Sequence, residues 1–233
     1  TMACVSEAIG LALPGSAGAP APYESRDAWC EASGKAVMNC LEKNIRPRDI
    51  VTRKSLENAA RVVAASGGST NAGLHLPAMA HECGIDFDLN DVTEIFKSTP
   101  YIADLKPGGK YVAKDLFEIG GVEIIMKALL DGGYLHGDCI TVTGKTIAEN
   151  LADVVFPTDQ DIVRTTDNPL TKTGGVVGLR GNLAPEGAIV KVAGMKNQKF
   201  SGPARCFDSE EEAYAAVAER NYKEGEVLVI RYE

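Results

Sequence analysis

No stretch of this chain forms a basic cluster. Its 24 Lys and Arg are outnumbered by 32 Asp and Glu, leaving a formal net charge of −8. That balance argues against a nucleic-acid partner. It leaves room for a small anionic ligand wherever local donors or a metal ion outweigh the acidic background. No apolar run approaches the ~20 residues that span a bilayer, so no membrane partner is expected, and nothing at the start reads as a secretory leader. The six cysteines (Cys4, Cys30, Cys40, Cys83, Cys139 and Cys206) include no C-x-x-C pair. Their wide, irregular spacing reads as reduced thiols of a cytoplasmic protein, most simply small buried hydrophobes. A fold could still gather scattered cysteines around an iron–sulfur cluster, but Cys30 and Cys40 lie on one helical pattern, too far apart to meet. His75 and His81 miss the i, i+4 spacing of zinc helices, and with His136 they read as structural. No G-x-G-x-x-G nucleotide signature follows a strand, and no internal repeat stands out. Asp86, Asp88, Asn90 and Asp91 lack the glycine and terminal glutamate of a calcium loop and read as the cap of the next helix.

What is present is a succession of helical patterns. Met2, Val5, Ile9 and Leu13 recur at helical spacing until Pro14 and Gly15. Ser25 is a candidate cap for a helix with Trp29, Ala32, Ala36, Val37, Cys40 and Leu41 on one face. Thr52 is a candidate cap for another, with Leu56, Ala59, Ala60 and Val63 inward. A helix from about Thr70 to Cys83, closed by Gly84, contains Pro77 and should kink there unless that proline lies near its first turn. Asp91 to Phe96, Asp115 to Ile119, Val122 to Leu130 and Ile147 to Leu151 read as further helices, and Tyr101 to Leu105 and Ile140 to Val142 as short strands. After about Val155 the character changes. A polar, irregular linker over 156–173 precedes strand-like runs at Val176 to Leu179, Ala188 to Val192, Ala204 to Phe207 and Val227 to Tyr232. One helix, opened by a Ser209/Glu212 capping box, interrupts them. The expected class is α/β: a layered part over 1–155, a linker, and a β-rich part over 174–233.

The densest local signal is Ser66-Gly67-Gly68-Ser69-Thr70-Asn71, between two helical patterns. Adjacent glycines permit a sharp turn and a close backbone approach to a ligand. Ser69, Thr70 and Asn71 offer side-chain caps beside free helix N–H groups, which suit an anion such as a carboxylate. The same residues also make a well-capped helix–turn–helix joint, and both readings stand at this point.

The surroundings of that run, SGGSTNAGLHLPAMA, join TMACVSEAIGLALPGS at the start, FEIGGVEIIM, GAIVKVAG, FSGPA and the final VLVIRYE. In this order and spacing the set resembles the IlvD/Edd dehydratase family over nearly the whole chain. The resemblance implies a hydro-lyase. A 2,3-dihydroxy carboxylate loses water to give a 2-keto acid, with an iron–sulfur cluster and Mg2+ as cofactors. The text around Gly68 to Ala80 is closer to the branch serving branched-chain amino-acid biosynthesis than to the sugar-acid branch, which acts on an aldonate or phosphogluconate. A non-catalytic anion-binding module is the reading from another class.

The resemblance also implies part of a β-barrel-like C-terminal domain and a homo-oligomeric parent protein. It identifies the chain as an internal segment of a longer protein. The family's cluster cysteines and magnesium-binding Asp-Lys pair match sequence before Thr1, and its base serine matches sequence after Glu233. No catalytic base is therefore assigned within the chain, which is expected to be inactive alone. Glu233 matches the glutamate that follows the family's V-x-I-R-Y strand and is the candidate metal ligand, since a carboxylate suits magnesium. Ser69, Thr70 and Asn71 are the candidate substrate-binding residues.

Overall fold

The computed structural model describes residues 2–232. It divides into two compact units, residues 1–194 and 195–233. The first unit is built from α1 (Met2–Ile9), α2 (Ser25–Glu42), α3 (Pro47–Ile50), α4 (Arg53–Ala65), α5 (Asn71–Cys83), α6 (Leu89–Ser98), α7 (Ala113–Glu118), α8 (Val122–Asp131) and α9 (Ile147–Asn150), followed by the hairpin of β1 (Val176–Leu179) and β2 (Ala188–Lys191). The second holds β3 (Ala204–Phe207), α10 (Glu210–Ala218) and β4 (Val227–Ile230).

Helix α4 is the axis of the first unit. Thr52 accepts a hydrogen bond from the Ser55 N–H while Ser55 returns one from its hydroxyl to the Thr52 carbonyl, fixing where the helix starts. Leu56, Ala59, Ala60, Val62, Val63, Ala64 and Ala65 are fully buried. Small residues along this helix let α1, α5, α6 and α8 pack against it. Apolar burial of this kind stabilises by roughly 25 cal/mol per Å². The caps expected from sequence recur at α6, where Asp88 accepts from the N–H groups of Asn90 and Asp91. At α10, Ser209 accepts from the Glu212 N–H, but the expected capping box is not closed, because the Glu212 carboxylate accepts from the N–H of Asp208 instead of Ser209.

Several local expectations change. Helix α1 ends at Ile9, not near Leu13: Gly10 turns to φ +95, and a Cβ there would lie 2.9 Å from the Thr141 methyl. Helix α2 exists, but Glu24 occupies the cap position without a side-chain bond, and none of its residues is buried. Val37 and Leu41, expected on its apolar face, are 59% and 69% exposed. Helix α5 runs unbroken through Pro77, whose missing N–H removes one backbone bond. Gly84 closes it in the left-handed conformation expected of a C-terminal glycine. Tyr101 to Leu105 and Ile140 to Val142 form isolated bridges in place of strands.

The segment 156–173 is folded against the first unit. Ile162 and Val163 are buried, and backbone bonds join Asp104 to Ile162, Arg164 to Ile102 and Leu170 to Tyr101. The compact-unit division therefore falls at 194/195. β1 and β2 pair antiparallel, with Val176 opposite Lys191 and Leu179 opposite Ala188. In the second unit β3 and β4 pair parallel, with Ala204 opposite Val227, and α10 connects them, as a parallel pair requires. The mixture of helix and strand is compatible with α/β. Among the described residues the sheets are these two pairs, and no closed barrel is present.

Candidate functional site at the double-glycine turn

Helix α4 stops at Ala65, and Gly67 and Gly68 follow with φ +85 and +80. Two successive left-handed residues are accessible to glycine at little cost. Close approach is the second reason for glycine here. A Cβ on Gly67 would lie 3.1 Å from the Tyr101 hydroxyl, and one on Gly68 only 1.9 Å from Cγ2 of Val176. The two Cβ positions are thus occupied by Tyr101 and Val176, so the glycines here admit neighbouring side chains of the protein.

The β1–β2 register then brings a cation to the same turn. Val176 and Lys191 are directly opposed, so their side chains share one face of the hairpin. With Val176 against Gly68, Lys191 reaches it too: its Nζ donates to the Gly68 carbonyl at 2.9 Å. Burial pulls the Lys191 ammonium below the usual lysine range. No carboxylate among the described residues pairs with it. Tyr101 is 6% exposed, and among the described residues its hydroxyl has no hydrogen-bond partner. Burial, and then the charge of Asp104, raises its phenol.

Of the three predicted substrate residues, Ser69 is half-buried, and Thr70 and Asn71 are exposed at the start of α5. Ser69 accepts from the Asn71 N–H at 3.3 Å. Thr70 occupies the cap position in helical geometry (φ −63, ψ −24) and makes no side-chain cap bond. Capping is therefore the role of Ser69 alone. The hydroxyl of Thr70 and amide of Asn71 stand at the positive end of a 13-residue helix. Glu233 lies outside the described residues.

The other titratable groups fall elsewhere. Among the described residues no group of three or more His, Cys, Asp or Glu gathers to hold a metal ion. The donors needed for an iron–sulfur cluster or a magnesium site are thus not assembled by these residues. Cys139 is buried, whereas Cys30 and Cys206 are exposed, so the small-hydrophobe reading fits only part of the set. The His136 ring Nε2 meets Glu57 at 2.7 Å, while the His136 backbone N–H donates to Asn58 Oδ1. His75 and His81 are exposed on α5.

Sequence reasoning missed Glu7, which is 3% exposed. Its carboxylate accepts from the N–H of Gly15 at 3.1 Å and of Ala17 at 2.7 Å. Burial pushes its pKa up to about 7, against the lowering effect of those two bonds, and the nearby Glu123 adds to the rise. It missed Lys191 and Tyr101 as well. The one available signal was a lysine standing alone in the apolar strand run GAIVKVAG.

A double-glycine turn, the start of a helix and a lysine without a carboxylate partner among the described residues thus meet on a scaffold of mixed helix and strand. The family to which such a scaffold belongs follows from comparison with known proteins. Residues 1–150 match the family described as dihydroxy-acid/6-phosphogluconate dehydratase N-terminal, and residues 161–233 match its C-terminal counterpart. The chain belongs to this dehydratase family. It is similar to "Dihydroxy-acid dehydratase 2" of Bradyrhizobium diazoefficiens, with 73% identity over 233 residues, covering all of this chain and 41% of the relative. The dihydroxy-acid dehydratase of Parvibaculum lavamentivorans is 74% identical over 235 residues, with the same coverage. That of Acidothermus cellulolyticus is 53% identical over 234 residues, covering 42% of the relative. The chain thus spans about two-fifths of the length of the curated relatives it matches.

Proposed function

We propose that this chain is part of a dihydroxy-acid dehydratase, a hydro-lyase converting a 2,3-dihydroxy-3-methyl carboxylate into a 2-keto acid and water in branched-chain amino-acid biosynthesis. The observation that carries the reading is identity of 73% and 74% across the whole chain to relatives bearing that name. In this reading Ser69, Thr70 and Asn71 shape the substrate pocket, and Glu233 supplies a carboxylate to Mg2+. The remaining magnesium ligands, the iron–sulfur ligands and the base come from sequence outside the chain. The whole protein is a cytoplasmic homo-oligomer, its partner a small anionic substrate, and β3 and β4 contribute to a barrel-like C-terminal domain. The domain division of the whole protein lies in 156–173. The gap between the two family matches, 151–160, supports a boundary close to there. Among the described residues no helix is long and apolar enough to cross a membrane.

What this chain's own residues contribute is binding and orientation. The positive end of α5 favours a carboxylate, while Thr70 and Asn71 present hydroxyl and amide groups that can hydrogen-bond it or a neighbouring hydroxyl. The test is turnover by the full-length protein carrying this segment, supplied with iron, sulfide and magnesium. 2-Keto acid should form from 2,3-dihydroxyisovalerate and much more slowly from gluconate or 6-phosphogluconate. Faster turnover of either sugar acid would reassign the substrate within the family. The 233-residue chain alone should give no keto acid under the same conditions.

A further inference from the structure

We propose that Lys191 is a substrate-contacting residue: its ammonium, held at the Gly67–Gly68 turn, binds the carboxylate of the 2,3-dihydroxy acid together with the N-terminal end of α5. The proposal deepens the dehydratase reading and rests on it for the identity of the anion.

The argument is an imbalance of donors. The Lys191 ammonium carries three N–H donors, and its bond at this turn is to the neutral Gly68 carbonyl at 2.9 Å. The residue is half-buried on β2 and has no ion-pair partner among the described residues. Removing a cation from water without a counter-charge is unfavourable, and an arriving anion offsets that cost. The second feature is the start of α5, thirteen residues long and only two positions beyond Gly68, where the helix contributes further positive potential. Lys191 bonds the carbonyl of Gly68, two residues before the Thr70 cap position, so both positive features belong to one stretch of backbone.

The third feature is independent of charge. The Tyr101 side chain is 6% exposed and packs against Gly67 through its ring edge and hydroxyl, and among the described residues that hydroxyl has no hydrogen-bond partner. A buried O–H without a partner is uncommon in a folded protein. The acidic group whose field reaches it, Asp104, lies 4.0 Å from the Lys110 ammonium and makes no bond to the phenol. Around one turn thus stand an ammonium without a carboxylate partner, the positive end of a helix and a phenol without a hydrogen-bond partner among the described residues, in a chain of net charge −8. A carboxylate offers two oxygens and a full negative charge.

The fold fixes this arrangement. Gly68 can be only glycine because Val176 fills its Cβ position, and Val176 is the register partner of Lys191. Packing that places one places the other.

The test compares Lys191→Met and Lys191→Arg in the full-length protein. For Met, the KM for 2,3-dihydroxyisovalerate should rise about tenfold or more, and by a larger factor than kcat falls, as expected on losing a charge-assisted bond. Arg should restore part of the loss. Equal KM in wild type and Met would overturn the proposal. A variant that fails to fold is bypassed on the wild-type 233-residue chain: lactate, gluconate and inorganic phosphate are titrated while the Lys191 Cε and Nζ resonances are followed by NMR. A saturable shift with the two hydroxy carboxylates, weaker with phosphate, supports the carboxylate site. No shift, or one with phosphate alone, overturns it. If wild-type full-length protein turns over no dihydroxy acid while the NMR shift with carboxylates persists, the dehydratase reading fails and the anion site stands.

Discussion

At Gly68 the backbone conformation and the packing make the same demand. Alanine there must adopt φ +80 and place its Cβ 1.9 Å from a Val176 methyl. Gly68→Ala should therefore cost roughly 3 kcal/mol, strain plus overpacking, in urea unfolding. Gly84→Ala shares a positive φ (+68) but meets nothing within 4 Å, and should cost about 1 kcal/mol. Similar losses at both sites would show that the Val176 contact is unimportant. Glu7 yields a prediction in pH. Folded, it keeps its proton up to about 7, against an ordinary value of 4.5. Between those values the folded chain binds the extra proton, so this contribution to stability is complete below pH 4.5 and is lost as pH rises through 7. The span corresponds to about 3 kcal/mol. Glu7→Gln should flatten the difference in unfolding free energy between pH 5 and pH 8 by an amount of that order; an unchanged difference would place the titration elsewhere.

Helix by helix, caps and apolar spacing carried most of the reading. Thr52, Asp88 and Ser209 each accept bonds from the N–H groups that an N-cap should satisfy. Thr52→Ala should cost about 1 kcal/mol by chemical denaturation, because α4 organises the first unit. Four short strand runs were also legible, since β-branched residues bounded by glycine and proline have few alternatives. What could not be read was which helical face finds a partner. Helix α2 carries apolar residues at the right spacing, yet Val37, Met38 and Leu41 are more than half exposed. Periodicity records a preference for burial and says nothing of what supplies it. These three residues should bind an environment-sensitive hydrophobic dye, and Val37→Ser with Leu41→Ser should reduce its fluorescence without lowering the melting temperature.

Across the whole molecule the two units differ greatly in core. The first has a large continuous core, whereas the second packs Phe207, Ala213 and Ala216 with Leu228. Thirty-nine residues with so little apolar burial fall below what usually folds alone. Excised 195–233 should show no cooperative thermal transition by circular dichroism, and 1–194 should keep one. A cooperative melt of the small piece would contradict this. The candidate site was legible only in part at this scale. Ser69, Thr70 and Asn71 are local in sequence, whereas Lys191 reaches Gly68 across more than a hundred residues through a hairpin register that no short window reveals.

That hairpin has a practical consequence for anyone dividing the gene. The boundary between the two family matches falls at 151–160, upstream of β1, yet β1 and β2 are part of the first compact unit. A cut there would strip Val176 from Gly68 and leave the severed face sticky. The two pieces, 1–155 and 156–233, should therefore recognise each other when mixed, so the hairpin offers a natural handle for a split-protein reporter.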